Sequence, residues 1–235
     1  LHTKTKLFCG CPTAFGLPPN TATCPVCLGL PGSLPVMNRT AFDLALRAAL
    51  ALNCQIASFT KWDRKNYYYP DLPKNYQISQ YDLPLCYEGE MTVADESGTP
   101  TKIRIRRAHL EEDAGKLMHE APGGFPIDHS IVDLNRAGTP LLEIVTEPDF
   151  SAAKQVVIFA QELQKLVQFL GVSHAQMQLG HMRFEPNINL HVTDAAGKVH
   201  KTAITEIKNL NSFSVLERAT ASGLVGACGF HRGIE

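Results

Sequence analysis

From Arg183 to Val192 the chain alternates without a break. Phe184, Pro186, Ile188, Leu190 and Val192 share one parity; Arg183, Glu185, Asn187, Asn189 and His191 share the other. A repeat of two belongs to an extended strand with one apolar and one polar face, and no helix reproduces it. Three further segments set carboxylates or amides into strand-like surroundings: Arg107–Asp113, Leu141–Thr146 and Thr205–Asn209. Asp194-Ala-Ala-Gly197 suits a hairpin turn between predicted strands at 183–193 and 199–207. Strands that follow one another, with helices only at intervals, point to an α+β fold with a mainly antiparallel sheet and flanking helices.

Further strands are predicted at about 91–96, 101–110 and 141–146. Asn38 or Thr40 caps a helix predicted to run to about Asn53, with Phe42, Ala45, Leu46, Ala49 and Leu50 as its buried stripe. Ser151 is expected to cap the strongest helix, with Val156, Ala160, Leu163, Val167 and Leu170 inward and Gly171 as its stop. A last helix is expected to begin near Ser212. The aromatic and polar run Asp63–Tyr81, interrupted by Pro70 and Pro73, reads as an ordered functional loop. Gly123-Gly124 and Pro126 mark a turn or insertion.

The 235 residues are enough for one large domain, or one domain with a small satellite. A formal net charge of −1 gives no overall field directed at nucleic acid or membrane, although Lys102–Arg107 is locally basic. No apolar run is long enough to span a bilayer. The chain opens on Leu1 without a secretory pattern, and residues upstream are expected. Seven cysteines, four of them clustered, argue against a secreted disulfide framework and for a reducing, cytosol-like compartment.

That cluster is Cys9-x-Cys11 and Cys24-x-x-Cys27, inside a stretch (9–36) too rich in proline for regular structure. Four thiolates on two knuckles suit a closed, tetrahedral, structural zinc site. A second candidate site is acidic. Glu111, Glu143, Glu185 and Glu206 lie on or beside different strands, so a sheet can gather them. Adjacent carboxylates repel unless a cation or proton joins them, and Mg²⁺ takes oxygen ligands while retaining water and phosphate. A solvated charged face is the plainer alternative. Asp63–Asp71 could grip a phosphate or an aminoacyl end, and Lys208–Asn211 could bind nucleotide or simply cap a helix. There is no Gly-rich phosphate loop.

Several long, ungapped motifs coincide with one family. They include Phe8-Cys-Gly-Cys-Pro12, Cys24–Gly32, Asp63-Arg-Lys-Asn-Tyr67 and Tyr69–Asp82. They continue with His109-Leu-Glu-Glu-Asp-Ala-Gly-Lys116, Asn135–Ile144 and Glu206–Phe213. From Leu1 to about Ala219 the chain resembles the B subunits of the aspartyl/glutamyl-tRNA amidotransferases. The resemblance implies a cradle domain with a glutamine synthetase/guanidino kinase-like catalytic fold and a Cys-rich zinc-knuckle loop. It implies ATP-dependent phosphorylation of the side-chain carboxylate of misacylated Glu-tRNA(Gln) or Asp-tRNA(Asn). Ammonia channelled from the glutaminase subunit then displaces the phosphate. ATP, Mg²⁺ and structural Zn²⁺ are the implied cofactors, and the amidotransferase A and C subunits and the misacylated tRNA the implied partners.

By match, Glu111, Glu143 and Glu185 fall on the metal-binding acidic positions, and Glu206 on the same pocket. Lys65 falls at the gate of the ammonia channel. His109, Asn187, Lys208 and Asn209 are expected at the nucleotide, and Cys9, Cys11, Cys24 and Cys27 match the zinc-bearing variants. The chain departs from the family in two places. The family's opening strand has no counterpart here, and residues 220–235 read as an atypical tail, foreign or disordered. The expectation is a fragment (1–219 plus that tail) with little activity alone, located in the cytoplasm or an organelle matrix. The rivals are a kinase of small carboxylates or guanidines and a non-catalytic zinc-stabilised binding module.

Overall fold

The computed structural model describes residues 1–94, 98–121 and 123–229, with side chains described as far as Gly223. The chain divides into two units. The first comprises Leu1–Met91 and Arg104–Glu147, the second Thr92–Ile103 and Pro148–Glu235. It is an α+β protein, and every paired strand whose direction is described runs antiparallel.

In the first unit, the proline-rich opening stays irregular apart from one helical turn, α1 (Pro25–Leu28). Helix α2 (Arg39–Ala51) follows. Of the two possible caps, Asn38 serves: its Oδ1 accepts from the N–H groups of Thr40 (2.9 Å) and Ala41 (3.3 Å). Its Nδ2 donates to the Thr5 carbonyl (3.1 Å), which ties the helix start to the opening segment. The buried face is Ala41, Leu44, Ala45, Ala48 and Ala49, one residue round from the predicted stripe, and Leu50 is exposed. Small alanines allow close approach, a packing gain that hydrophobicity alone does not register. Leu7, Phe8, Ala41 and Ile78 form a core cluster, with Trp62 edge-on to Phe8 at 5.0 Å.

Strand β1 (Gln55–Ile56) follows α2. Asp63–Tyr81 is not a loop but mostly a hairpin, in which β2 (Asp63–Asn66) pairs with β3 (Tyr76–Ser79). Only the tip carries the prolines, which would have interrupted a ladder. Strand β4 (Cys86–Ala94) starts five residues before its predicted bound, the end of that expectation (95–96) lying outside the described residues, and β5 (Pro100–Glu112) extends beyond both of its bounds. The Gly123-Gly124 turn joins two strands that local pattern does not reveal, β6 (Lys116–Ala121) and β7 (Phe125–Asp133). Strand β8 (Pro140–Thr146) completes a sheet in the order β1-β4-β5-β8.

The β5–β8 pairing slips between Ile105 and Arg107, then continues with His109 opposite Glu143. From Ala108 to Glu112 every residue of β5 is buried, so alternation places polar side chains inside as well as apolar ones.

The second unit contains α3 (Ala153–Phe169), with Val157, Phe159, Ala160, Leu163 and Val167 buried. Its N-cap residue is Ala152, not Ser151; Ser151 N–H instead donates to Gln155 Oε1 (2.9 Å). The long strand predicted at 183–193 is broken into β9 (Asn187–Ile188) and β10 (His191–Thr193). Its partner at 199–207 is likewise split into β11 (Val199–Lys201) and β12 (Thr205–Glu206). The hairpin turn at Asp194–Gly197 is present, with Gly197 N–H donating to the Asp194 carbonyl at 3.0 Å.

Register explains the breaks. His191 faces Lys201, Ile188 faces Thr205, and Phe184 faces Leu210, so the second arm gains one residue at each interval. Each extra residue interrupts the ladder. Asn209, at φ 62°, lies in the second interval.

Helix α4 (Phe213–Gly229) packs on α3, and Ser212 Oγ accepts from Val215 N–H (3.2 Å) as its cap. Val157, Ala160, Leu210 and Leu216 form the core here. Residues 220–229 continue this helix; the part of the tail expectation that concerns 230–235 lies outside the described residues.

Candidate metal and nucleotide site

The β5–β8 register makes His109 and Glu143 cross-strand neighbours, and Glu111 shares the His109 face two residues on. One ligand-competent atom from each of the three lies within 4.8 Å of the others. His109 Nε2 is 3.6 Å from Glu143 Oε2. His109 and Glu111 are buried, while the Glu143 side chain remains 45% exposed, which leaves the group open on one side.

A buried carboxylate needs partners. Glu111 Oε2 accepts from Ser79 Oγ at 2.7 Å, and Lys65 Nζ stands 3.5 Å from Oε1. Both partners come from the β2–β3 hairpin. Asp63 pairs with Ser79 and Lys65 with Gln77, so Ser79 and Lys65 are diagonal neighbours that converge on Glu111. Lys65 is thus beside the acidic group, where the resemblance anticipated a channel gate. Ser79 is a contributor that sequence reasoning did not single out, although it lies within the quoted Tyr69–Asp82 motif.

Burial, assisted by the Arg107 charge, lowers the His109 pKa from 6.5 to about 4, against the opposing pull of Glu111. The imidazole is therefore neutral at pH 7, the form that ligates metals. Its Nδ1 is buried without a hydrogen-bond partner among the described residues. The other ring nitrogen, Nε2, is the one turned to Glu143, and a neutral imidazole beside two convergent carboxylates fits a divalent cation.

The neighbouring acids point elsewhere. Glu112, opposite in parity to Glu111, forms a buried ion pair with Lys74, and its Oε1 accepts from Ile78 N–H at 2.9 Å. Asp113 pairs with Arg136 (3.4 Å) and accepts from Ala114 N–H (3.0 Å). These contacts anchor the end of β5 from the back.

The other residues expected at the site lie in the second unit. Lys208 Nζ is 3.7 Å from Glu185 and 3.3 Å from Glu206, and these two charges, Glu185 foremost, raise the lysine's pKa. Asn187 faces Glu206 across β9 and β12, and Asn209 follows Lys208. The predicted residues therefore form two groups: Lys65, His109, Glu111 and Glu143 in one unit, and Glu185, Asn187, Glu206, Lys208 and Asn209 in the other.

The cysteine quartet is assembled. Cys24 is the N-cap residue of α1, and Cys27 lies within it. Cys27 Sγ is 3.4 Å from Cys9, 3.7 Å from Cys24 and 3.7 Å from Cys11. Tetrahedral zinc with Zn–S bonds of ~2.3 Å would space its sulfurs by about 3.8 Å, so the donor set fits. The Cys9 hydrogen bond, helped by the nearby Lys6 charge, pulls the Cys27 thiol down to about 4, a thiolate at neutral pH. The same contact with Cys27, together with burial, pushes Cys9 up, and burial raises Cys11 to about 11. Gly29 closes the turn at φ 66°; a Cβ there would meet Lys74 Cβ at 2.6 Å. The knuckle thus lies directly against the lysine that neutralises Glu112.

A family model described as the GatB/GatE catalytic domain matches residues 1–224. The chain belongs to this family. Among curated relatives, the Rhodopirellula baltica protein named as the B subunit of aspartyl/glutamyl-tRNA(Asn/Gln) amidotransferase is 56% identical over 220 residues. Proteins of the same name from Symbiobacterium thermophilum and Thermotoga maritima are each 50% identical, over 218 and 220 residues. Each match covers 93% of this chain. The chain spans 44% of the first two relatives and 45% of the third. Among the described residues, no helix is long and apolar enough to cross a membrane.

Proposed function

We propose that this chain carries the catalytic cradle of the B subunit of an aminoacyl-tRNA amidotransferase. It would convert Glu-tRNA(Gln) or Asp-tRNA(Asn) to the amide, together with the A and C subunits, in the cytoplasm or an organelle matrix. The observation that carries the reading is the register of β5 and β8. It delivers His109, Glu111 and Glu143 to one open group with Lys65 beside it. No side-chain nucleophile is required, because the substrate carboxylate and then ammonia act as nucleophiles. What the chemistry needs is a way to hold phosphates and disperse their charge. Mg²⁺, when bound, would offset charge developing on the transferring phosphoryl group of ATP.

Within the first unit, Glu111 and Glu143 would supply carboxylate oxygens and His109 a neutral nitrogen to that ion. Ser79 would hold Glu111 in orientation through its 2.7 Å hydrogen bond. Lys65, 59% exposed at its side chain, can move off Glu111 when a cation replaces its charge. That freedom suits its assigned place at the ammonia gate. In the second unit, Glu185 and Glu206 are assigned further carboxylate roles, and Asn187, Lys208 and Asn209 contacts to nucleotide; these assignments rest on the resemblance alone. The cysteine quartet would hold structural zinc.

The test is amide formation on misacylated tRNA by the assembled enzyme, with ATP and with ammonium as nitrogen donor. Glu111→Gln should lower the rate ~100-fold or more, the scale of several kcal/mol of charge stabilisation. Glutaminase activity measured in the same preparation should be unchanged. Equal amidation rates in wild type and Glu111→Gln would overturn the assignment.

A further inference from the structure

Lysine is almost never fully buried without a paired charge. Lys6 is 0% exposed. Its ammonium forms no ion pair with a carboxylate among the described residues. Its three contacts are the Ala22 carbonyl at 2.7 Å, the Leu134 carbonyl at 3.5 Å and Cys27 Sγ at 3.4 Å. Two carbonyls supply lone pairs but no net charge, and a desolvated cation needs an anion nearby. The Glu112 carboxylate near the Lys6 stem is already paired with Lys74. The group at hydrogen-bond distance from Nζ that becomes anionic on binding a metal is the sulfur of Cys27, which lies closest to the other three of the quartet.

We propose that Lys6 is a cationic partner built into the cysteine site: its ammonium donates to the metal-bound Cys27 thiolate, retains the metal and shields that sulfur from electrophiles. The proposal rests on zinc occupying the quartet, as inferred above. A four-thiolate zinc site carries a net charge of about −2, and one buried ammonium brings it to about −1. An N–H···S bond draws electron density from the sulfur, which lowers its nucleophilicity while it remains a ligand. The cation also joins three separate segments. Ala22 lies two residues before Cys24 and Leu134 two before Arg136, while Lys6 itself lies three before Cys9. Next to Lys6, Leu7 N–H donates to the Gly138 carbonyl at 2.9 Å, and Gly138 N–H donates to the Asp113 carbonyl at 2.8 Å. The contacts of the cysteine site therefore continue to the end of the strand that bears Glu111. This arrangement describes a site built for permanence rather than for redox switching.

The test compares the full chain, wild type and Lys6→Met, loaded with zinc and titrated with a chromophoric chelator. Partners that orient metal ligands are worth ~10–100-fold in affinity, and a loss of that size is expected in Lys6→Met. Zinc release by an alkylating agent should quicken in parallel. The control places Lys6→Met in a background with all four cysteines changed to serine. There the lysine has no thiolate to serve, so its removal should leave thermal stability unchanged or raised. Equal zinc affinity in wild type and Lys6→Met would overturn the proposal while leaving the zinc reading intact. A wild-type chain that takes up no zinc would overturn both. Should Lys6→Met not fold, a crystal structure of the zinc-loaded wild type decides: Nζ farther than about 4 Å from every ligand sulfur would refute the contact.

Discussion

Replacing Glu111 with glutamine should separate stability from metal binding. Glutamine keeps the shape of the side chain and can still accept from Ser79 Oγ, which lies 2.7 Å from the carboxylate. What changes is charge. In the metal-free protein a Glu111 carboxylate oxygen lies within 4.8 Å of one from Glu143, its diagonal neighbour across the β5–β8 pair, and 3.5 Å from Lys65 Nζ. At an effective dielectric of 20, one such repulsion is about 3.5 kcal/mol and the attraction about 4.7 kcal/mol before screening. Both partners are substantially exposed, at 45% for Glu143 and 59% for Lys65, so each value shrinks toward ~1 kcal/mol. The two nearly cancel, and metal-free Glu111→Gln should melt within a few degrees of wild type.

The divalent cation breaks this symmetry. At 100 times its dissociation constant it stabilises the wild type by about 2.7 kcal/mol. For a chain of this size that corresponds to a Tm rise of roughly 5–10 °C. The variant should lose most of that rise. Calorimetric melts with and without saturating Mg²⁺ or Mn²⁺ measure both quantities. An undiminished metal-dependent shift in Glu111→Gln would refute the claim that these strands form the cation site. A large loss of metal-free stability would refute the claim that Glu111 is held there for function.

Lys74→Met should destabilise by about 3–5 kcal/mol, because it strands the Glu112 carboxylate in a buried environment, with the two side chains only 6% and 4% exposed. Adding Glu112→Gln should recover much of the loss, and denaturant titrations of the single and double variants check this coupling. His109 provides a pH test. Its folded pKa, about 4, lies below the unfolded value of 6.5, so the unfolded chain binds the proton first as pH falls. Its contribution is fully present above pH 6.5 and is lost downward through the folded pKa. About 2 kcal/mol should disappear between pH 7 and pH 5. His109→Gln should remove that part of the slope in unfolding curves recorded at the two pH values.

Much of the candidate site is legible in local pattern. The parity of His109 and Glu111 on one strand follows from the two-residue repeat, and the pairing of Cys9-x-Cys11 with Cys24-x-x-Cys27 follows from spacing. The hairpin turn at Asp194–Gly197 and the stop at Gly171 are equally local, each set by backbone conformations that few residues adopt. The β2–β3 hairpin was hidden because its strands are short and polar and its loop holds two prolines. The breaks in the 183–193 strand were hidden because alternation reports the face of each residue but says nothing of a partner arm with extra residues.

The amino-acid order alone therefore determined that His109 and Glu111 share a strand face, which cysteines form knuckles, and that the chain is α+β. The tertiary structure decided which faces meet. It set Ser79 and Lys65 on Glu111, sent Glu112 to Lys74 on the opposite side, and enclosed Lys6 beside Cys27. Parity arises from bond geometry within a few residues, whereas register and burial arise from contacts between segments tens of residues apart. Those contacts are selected by the packing of the whole unit and leave no periodic trace in the chain.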